Sequence, residues 1–189
     1  MKQPSILVFG GSLRAESYNQ KLAIIAAAGA RKAGAEVTLI SLRDYRMPLF
    51  DEDLEAAEGK SEAAKKLKEL FHNAEGFIIA SPEYNSGITA ALKNAIDWVS
   101  RADSEDEAPL LAFNHKTAAI LSASPGGYGG SRSLAQLRPL LENINVTVLP
   151  DQVSIPKAYQ AFDAEGNLAD PTQQAAVKSL AASLVAKLT

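Results

Sequence analysis

The 189-residue sequence predicts a doubly wound α/β domain built on a five-stranded parallel sheet. Two observations carry that expectation. Five short runs are rich in apolar residues, and the first, Ile6 to Phe9, lacks any polar alternation, as a strand buried on both faces does. They alternate with longer stretches of helical period, the order that calls for a parallel sheet with helices on both faces.

The elements follow in order. Ile6 to Phe9 is the first strand, ended by Gly10 and Gly11, where the backbone turns sharply or approaches a ligand. Tyr18 to Lys32, rich in Ala, Leu and Ile, is the first helix, stopped by Gly34. Val37 to Ile40 is a second buried strand. From Ser41 to Gly59 the chain reads as an irregular, exposed excursion with Pro48 and the acidic run Asp51-Glu52-Asp53. Ser61 is the N-cap expected for a helix carrying Ala64, Leu67, Leu70 and Phe71 at helical spacing. Phe77 to Ala80 is the third strand, and Ile88 to Ser100 a helix with Leu92, Ile96 and Val99 on one side. Arg101 to His115 reads as a solvated loop because of its A-D-S-E-D-E-A-P stretch. Thr117 to Leu121 is the fourth strand, and Ser131 to Asn143 a helix that Pro139 should kink or break. Val146 to Leu149 is the fifth strand. Asp170-Pro171 pairs an N-cap with proline at the first helical position, opening a last helix to Leu188. One domain over residues 1–189 is the reading for this length.

In the flavodoxin-like strand order 2-1-3-4-5, strands 1, 3 and 4 are neighbours, and ligands bind beyond their carboxyl ends. The loops after those strands, Gly10–Asn19, Ser81–Gly87 and Ser122–Gly130, are the three richest in glycine and hydroxyls. That coincidence points to a single mononucleotide crevice.

The first loop reads G-G-S-L-R-A-E-S-Y-N. Strand, glycine turn and helix start form an anion site, because N–H groups and the positive dipole end converge there. Ser12, Arg14, Ser17 and Asn19 add side-chain donors for a phosphate. Neither the Walker pattern nor the dinucleotide fingerprint is present. Hydroxyls in place of glycines suit a terminal monophosphate. On this loop alone, a turn capped by Ser17 with Arg14 solvated is an equal alternative. In the second loop, S-P-E-Y-N-S-G, Pro82 stiffens the chain, and the backbone around Glu83, Tyr84 and Asn85 can meet the polar edge of a flat heterocycle. An ordinary polar turn is the plainer alternative. In the third, S-P-G-G-Y-G-G, glycines either permit a flexible turn or let backbone approach a planar ring, with Tyr128 flanking the substrate. Trp98 belongs to the core or to a subunit interface.

Composition removes several function classes. Zero cysteines exclude disulfides, thiolate metal sites and cysteine nucleophiles. A net charge of −3 argues against a nucleic-acid surface. No apolar run approaches the roughly 20 residues of a membrane span. Met1 to Pro4 leads directly into a strand, leaving no room for a signal peptide, so the cytoplasm is the expected compartment. His72 and His115 lack a paired carboxylate or a second ligand at metal spacing, so no metal is expected, and there is no G-x-S-x-G elbow. Reactivity must come from a cofactor, with the protein supplying position and electrostatics.

G-S-L-R-A-E-S-Y-N, S-P-E-Y-N-S-G-I-T-A-A-L-K-N-A-I-D-W and S-A-S-P-G-G-Y-G-G-S-R together resemble the NADPH-dependent FMN reductase family, which includes chromate, quinone and azo-dye reductases. The resemblance runs in register over nearly the whole chain. It implies noncovalent FMN, NADPH or NADH as hydride donor, a small-molecule electron acceptor, and a homodimer or homotetramer whose clefts are completed by a partner subunit. By that similarity Ser12, Arg14, Ser17 and Asn19 hold the FMN phosphate. Pro82, Glu83, Tyr84 and Asn85 hold the ring, bordered by Ser124, Gly126 and Gly127. The longer acidic segment Ala102 to Pro109 departs from the family pattern.

Overall fold

Strands β1 (Ser5–Gly10), β2 (Glu36–Ser41), β3 (Gly76–Ala80), β4 (Thr117–Ala123) and β5 (Thr147–Ile155) pair in the order β2-β1-β3-β4-β5, every pairing parallel. This is the flavodoxin-like order. The structure is a computed structural model that describes residues 3–189; Met1 and Lys2, where the reading of the chain's start falls, lie outside the described residues. In chain order the helices are α1 (Tyr18–Lys32), α2 (Glu52–Glu58), α3 (Glu62–Asn73), α4 (Ala90–Ser100), α5 (Ser131–Asn143), α6 (Ala158–Ala161) and α7 (Pro171–Leu188).

The period of two along each strand sends alternate side chains into two cores. Ile6, Val8, Ile78, Ala80, Ala119 and Leu121 meet Leu22 and Ala26 of α1 and Leu180 and Leu184 of α7. Leu7, Phe9, Phe77, Ile79, Ala118 and Ile120 meet Leu67 and Phe71 of α3, Leu92 and Ile96 of α4, and Leu137 and Leu141 of α5. A strand covered on both faces favours apolar side chains throughout, which is why β1, β3 and β4 read as mainly apolar runs; the buried Ser122 of β4 is satisfied by donating to the Ser81 carbonyl at 2.6 Å. Each large aliphatic or aromatic side chain buried this way contributes about 1.5–3 kcal/mol. Phe71 is the aromatic centre of the second core, with ring centroids 5.4 Å from Phe9, 4.9 Å from Phe77 and 5.5 Å from Phe113.

Five expectations need correction. Strand β2 is not buried: it lies at the edge of the sheet, and its residues are half-buried or exposed. The excursion after β2 contains α2, with Asp51 Oδ1 accepting from the N–H groups of Asp53 and Leu54, so the acidic run is a capped first helical turn. It is also tied down: the Pro48 carbonyl accepts from Trp98 Nε1 at 2.8 Å and Asn94 Nδ2 at 2.9 Å. Trp98 itself is 1% exposed and belongs to the core. Arg101 to His115 is not simply solvated, because Ala112 and Phe113 are buried and its acidic residues meet Lys60 and Lys68. Strand β5 runs on to Ile155, past a register shift opposite Ala118–Ile120; an edge strand tolerates Pro150 there because proline donates nothing to the ladder. Finally, Pro139 lies inside α5 and does not break it; of the two outcomes expected there, the break is the one corrected.

Candidate active site

The loops after β1, β3 and β4 meet beyond the carboxyl ends of the sheet and enclose a cavity of about 180 Å³. Ser12, Arg14, Ser17, Asn19, Pro82, Glu83, Tyr84 and Ser124 line it. Asn85, Gly126, Gly127 and Tyr128 are absent from the lining and belong to the adjoining segments of the same loops. Tyr18, Ala123 and Pro125 also line the cavity and were not singled out from the sequence.

The first loop is shaped by a close approach. A Cβ on Gly10 would stand 2.9 Å from the backbone nitrogen of Gln20, so only glycine lets the start of α1 lie against the end of β1. Gln20 fastens that junction, accepting from Gly10 N at 3.1 Å and donating to the Ile40 carbonyl at 2.9 Å. Ser17 caps α1 by accepting from Gln20 N at 3.3 Å, and Ser12 Oγ accepts from Arg14 N at 3.1 Å. Both hydroxyls therefore act as acceptors locally, and each still has a hydrogen to donate. The N–H groups of Tyr18 and Asn19, in the first turn of α1, have no partner among the described residues. Arg14 is exposed and forms no ion pair among the described residues; its guanidinium lies 4.9 Å from the centroid of the Tyr18 ring.

Asn19 differs from its neighbours. Its Oδ1 accepts from Ala123 N at 2.9 Å, and its Nδ2 donates to the Ala123 carbonyl at 2.7 Å. The side chain clamps the first loop to the end of β4, leaving one amide hydrogen uncommitted.

The second loop turns tightly. Tyr84 and Gly87 exchange backbone hydrogen bonds of 3.0 and 2.9 Å, with Asn85 and Ser86 at φ 51° and 67° between them. Two successive left-handed residues suit a type I′ turn, which asparagine tolerates well. The Tyr84 N–H is thus occupied, whereas the Asn85 N–H at the tip has no partner among the described residues. Glu83 turns its carboxylate away from solvent toward α5, its side chain 6% exposed. Oε2 accepts from Arg132 N at 3.1 Å and Ser133 N at 3.3 Å, and Oε1 from Arg132 Nε at 2.9 Å and Nη2 at 2.6 Å. Helix α5 has Gly130 at its N-cap and so no side-chain cap of its own, and Glu83 caps it from the neighbouring loop.

The third loop divides its glycines between two tasks. Gly130 has φ 86°, and a Cβ there would overlap Ser122 Oγ, so the fold itself requires it. Around Gly127 no atom lies within 4 Å of a Cβ position, and around Gly126 only Ser124 Oγ does, at 4.0 Å. No packing demand keeps side chains out of that space. Ser124 Oγ makes no hydrogen bond among the described residues. Tyr128 is 68% exposed and lies against Arg132, 4.8 Å from ring centroid to guanidinium. Among the described residues no group of acidic, histidine or cysteine side chains could hold a metal.

The model of the NADPH-dependent FMN reductase family matches residues 4–160. The chain belongs to that family. Its chemistry is therefore flavin- and nicotinamide-dependent reduction, and it is an enzyme. An NAD(P)H-dependent FMN reductase of Pseudomonas aeruginosa is 38% identical over 166 residues, 87% of this chain and 84% of that protein. A probable NADPH:quinone oxidoreductase of Oryza sativa is 33% identical over 186 residues, covering 96% and 87%. The solved flavoenzyme NAD(P)H:acceptor oxidoreductase of Paracoccus denitrificans superposes with a TM-score of 0.78 at 24% identity, covering 98% and 97% of the two chains, and so shares the fold.

The donors present fit FMN. Two hydroxyls with hydrogens to give, a guanidinium with no ion pair among the described residues and a helix N-terminus suit a dianionic monophosphate. The open space at Gly126 and Gly127 suits a flat ring.

Proposed function

We propose that the cleft holds FMN noncovalently, with the phosphate on Ser12, Arg14, Ser17 and the first turn of α1. Asn19 contributes mainly by fixing that loop to β4. The enclosed volume of about 180 Å³ falls below the roughly 300–1,000 Å³ of whole-ligand pockets. It suits the phosphate end, while the ring extends to the open rim between Pro82–Asn85 and Ser124–Tyr128. The Asn85 N–H is the donor for the ring's polar edge, and Tyr128 flanks whatever stacks above the ring.

When bound, FMN supplies the redox chemistry, taking a hydride from NADPH or NADH and giving electrons to an oxidant. The residues of the chain bind and orient. The donors of the first loop fix one end of the cofactor, the Glu83–Arg132 tie keeps the two ring-facing loops at constant separation, and the bare glycines leave one flat place for a substrate. The acceptor is a small molecule such as a quinone, azo compound, flavin or oxidised metal species. No nucleic acid or membrane partner is proposed; among the described residues no helix is long and apolar enough to cross a membrane. A homodimer or homotetramer is the proposed assembly, supported by exposed Leu13 in the phosphate loop and by Leu49, which is 75% exposed.

The observation that carries this reading is the set of uncommitted donors at the start of α1. Its kinetic consequence follows from the single flat place, which nicotinamide and acceptor must occupy in turn. The purified protein is expected to carry or take up FMN, and double-reciprocal plots against NADPH at several quinone concentrations to be parallel. Intersecting plots contradict the shared place, and a protein that takes up no FMN contradicts the whole reading.

A further inference from the structure

The proposed phosphate loop is braced by a segment that lies outside its motif. The Tyr18 ring, against which the Arg14 guanidinium lies, is stacked in turn on Phe162, with centroids 5.9 Å apart and planes 8° from parallel. Phe162 follows α6, two residues beyond the part of the chain that the family model matches. The segment is itself firmly held. Phe162 bridges to Leu168, Ala169 N donates to the Ala161 carbonyl at 2.9 Å, and Leu168, 5% exposed, packs in the α1–α7 core.

We propose that Phe162 is a positioning residue for the cofactor phosphate: by stacking on Tyr18 it fixes the ring that orients the Arg14 guanidinium. An exposed arginine with no ion pair would otherwise lose its rotamer freedom on binding a phosphate, and that loss opposes affinity. A cation held over an aromatic face is already partly ordered, provided the ring cannot swing away. Tyr18, at the first position of α1, is half-buried, and Phe162 is its stacking partner. The inference rests on reading Ser12–Asn19 as the phosphate site.

The test is equilibrium titration of flavin-free protein with FMN and with riboflavin, which lacks the phosphate. Phe162→Ala is expected to weaken FMN about 3–10-fold and riboflavin less than about 2-fold. Phe162→Tyr, which keeps the ring, should restore FMN affinity. In an Arg14→Ala background, adding Phe162→Ala should change FMN affinity less than about 2-fold, since two residues acting through one contact are not additive. Phe162→Leu, which keeps apolar bulk but not the ring face, should match Phe162→Ala and carries the test if the alanine variant does not fold. Equal losses for FMN and riboflavin, or a full Phe162 effect without Arg14, would overturn the proposal and leave Phe162 a packing residue. If Arg14→Ala itself fails to separate FMN from riboflavin, the phosphate reading falls first, and that result is distinguishable from the others.

Discussion

Two polar regions of this molecule invite the same question and give opposite answers. One is the cleft formed by the loops after β1, β3 and β4. The other is the flank where the acidic segment 102–109 meets α3, beside a concavity of about 820 Å³, far larger than the cleft's 180 Å³. The flank contains Lys60 and Lys68, with side chains only 5% and 6% exposed. Size, burial and charge all favour it as a ligand site. Its hydrogen bonds do not. Lys60 Nζ donates to the carbonyls of Arg101 and Ala102 at 2.5 and 3.0 Å and to Asp103 Oδ1 at 2.5 Å. Lys68 Nζ donates to the Arg101 carbonyl at 2.9 Å and to Glu107 Oε1, and pairs with Asp103 Oδ2 at 2.8 Å. Each ammonium thus faces three oxygens, as many as it has donors.

The cleft is the reverse. Ser12, Ser17, Ser124, Arg14 and the first turn of α1 keep donors that have no partner among the described residues. Unused hydrogen-bond capacity, rather than volume or charge, is the ground on which the ligand is proposed to bind in the cleft. Titration behaviour on the flank agrees with a closed network. Burial lowers the Lys60 pKa against the pull of Asp103. Burial also opposes the charged forms of Lys68 and Asp103, yet Asp103 and Glu107 hold Lys68 above its usual range, and Lys60 followed by Lys68 hold Asp103 below its own.

The contrast can be broken first at Lys68. Lys68→Met removes the cation and leaves the nearly buried Glu107 carboxylate and half-exposed Asp103 with less compensation. Removing one partner of a buried pair costs roughly 3–5 kcal/mol; the exposure of Asp103 reduces the expectation to about 2–3 kcal/mol. Denaturant unfolding should register that loss while FMN affinity stays within about 2-fold. A large loss of FMN affinity with intact stability would make the flank a ligand site after all.

A smaller stability effect sharpens the other half. Gly127→Val places its Cβ where no atom beyond the chain neighbours lies within 4 Å, so unfolding free energy should change by no more than about 0.5 kcal/mol. FMN binding should nevertheless weaken several-fold, because the side chain would stand where the ring is proposed to lie. Unchanged binding would move the ring away from the third loop.

How much of this was legible beforehand depends on the range of the forces involved. Strands β1, β3 and β4 were legible because burial on both faces leaves a mainly apolar run. The second half of β5 was not, since Pro150 and Asp151 read locally as an ending and only pairing with β4 carries the strand on. Helix α2 has no buried residue and hence no apolar period to read. The three cleft loops stood out through glycines and hydroxyls, which respond to local backbone demands. The side-chain ties did not stand out. Asn19 meets Ala123 across 104 residues, and Glu83 reaches Arg132 across 49. The Tyr18–Phe162 stack and the lysine clasp are of the same kind, joining segments whose proximity only the fold creates.

The central claim, that the unused donors of the first loop anchor a phosphate, is tested most directly by the affinity of wild type and Arg14→Ala for FMN and riboflavin. A charge-assisted hydrogen bond to a phosphate is worth about 1.5–3 kcal/mol. Arg14→Ala should therefore lose roughly 10–100-fold in FMN affinity and little in riboflavin affinity, with thermal stability of the flavin-free protein almost unchanged. Equal losses for the two flavins, or none for either, would contradict the account.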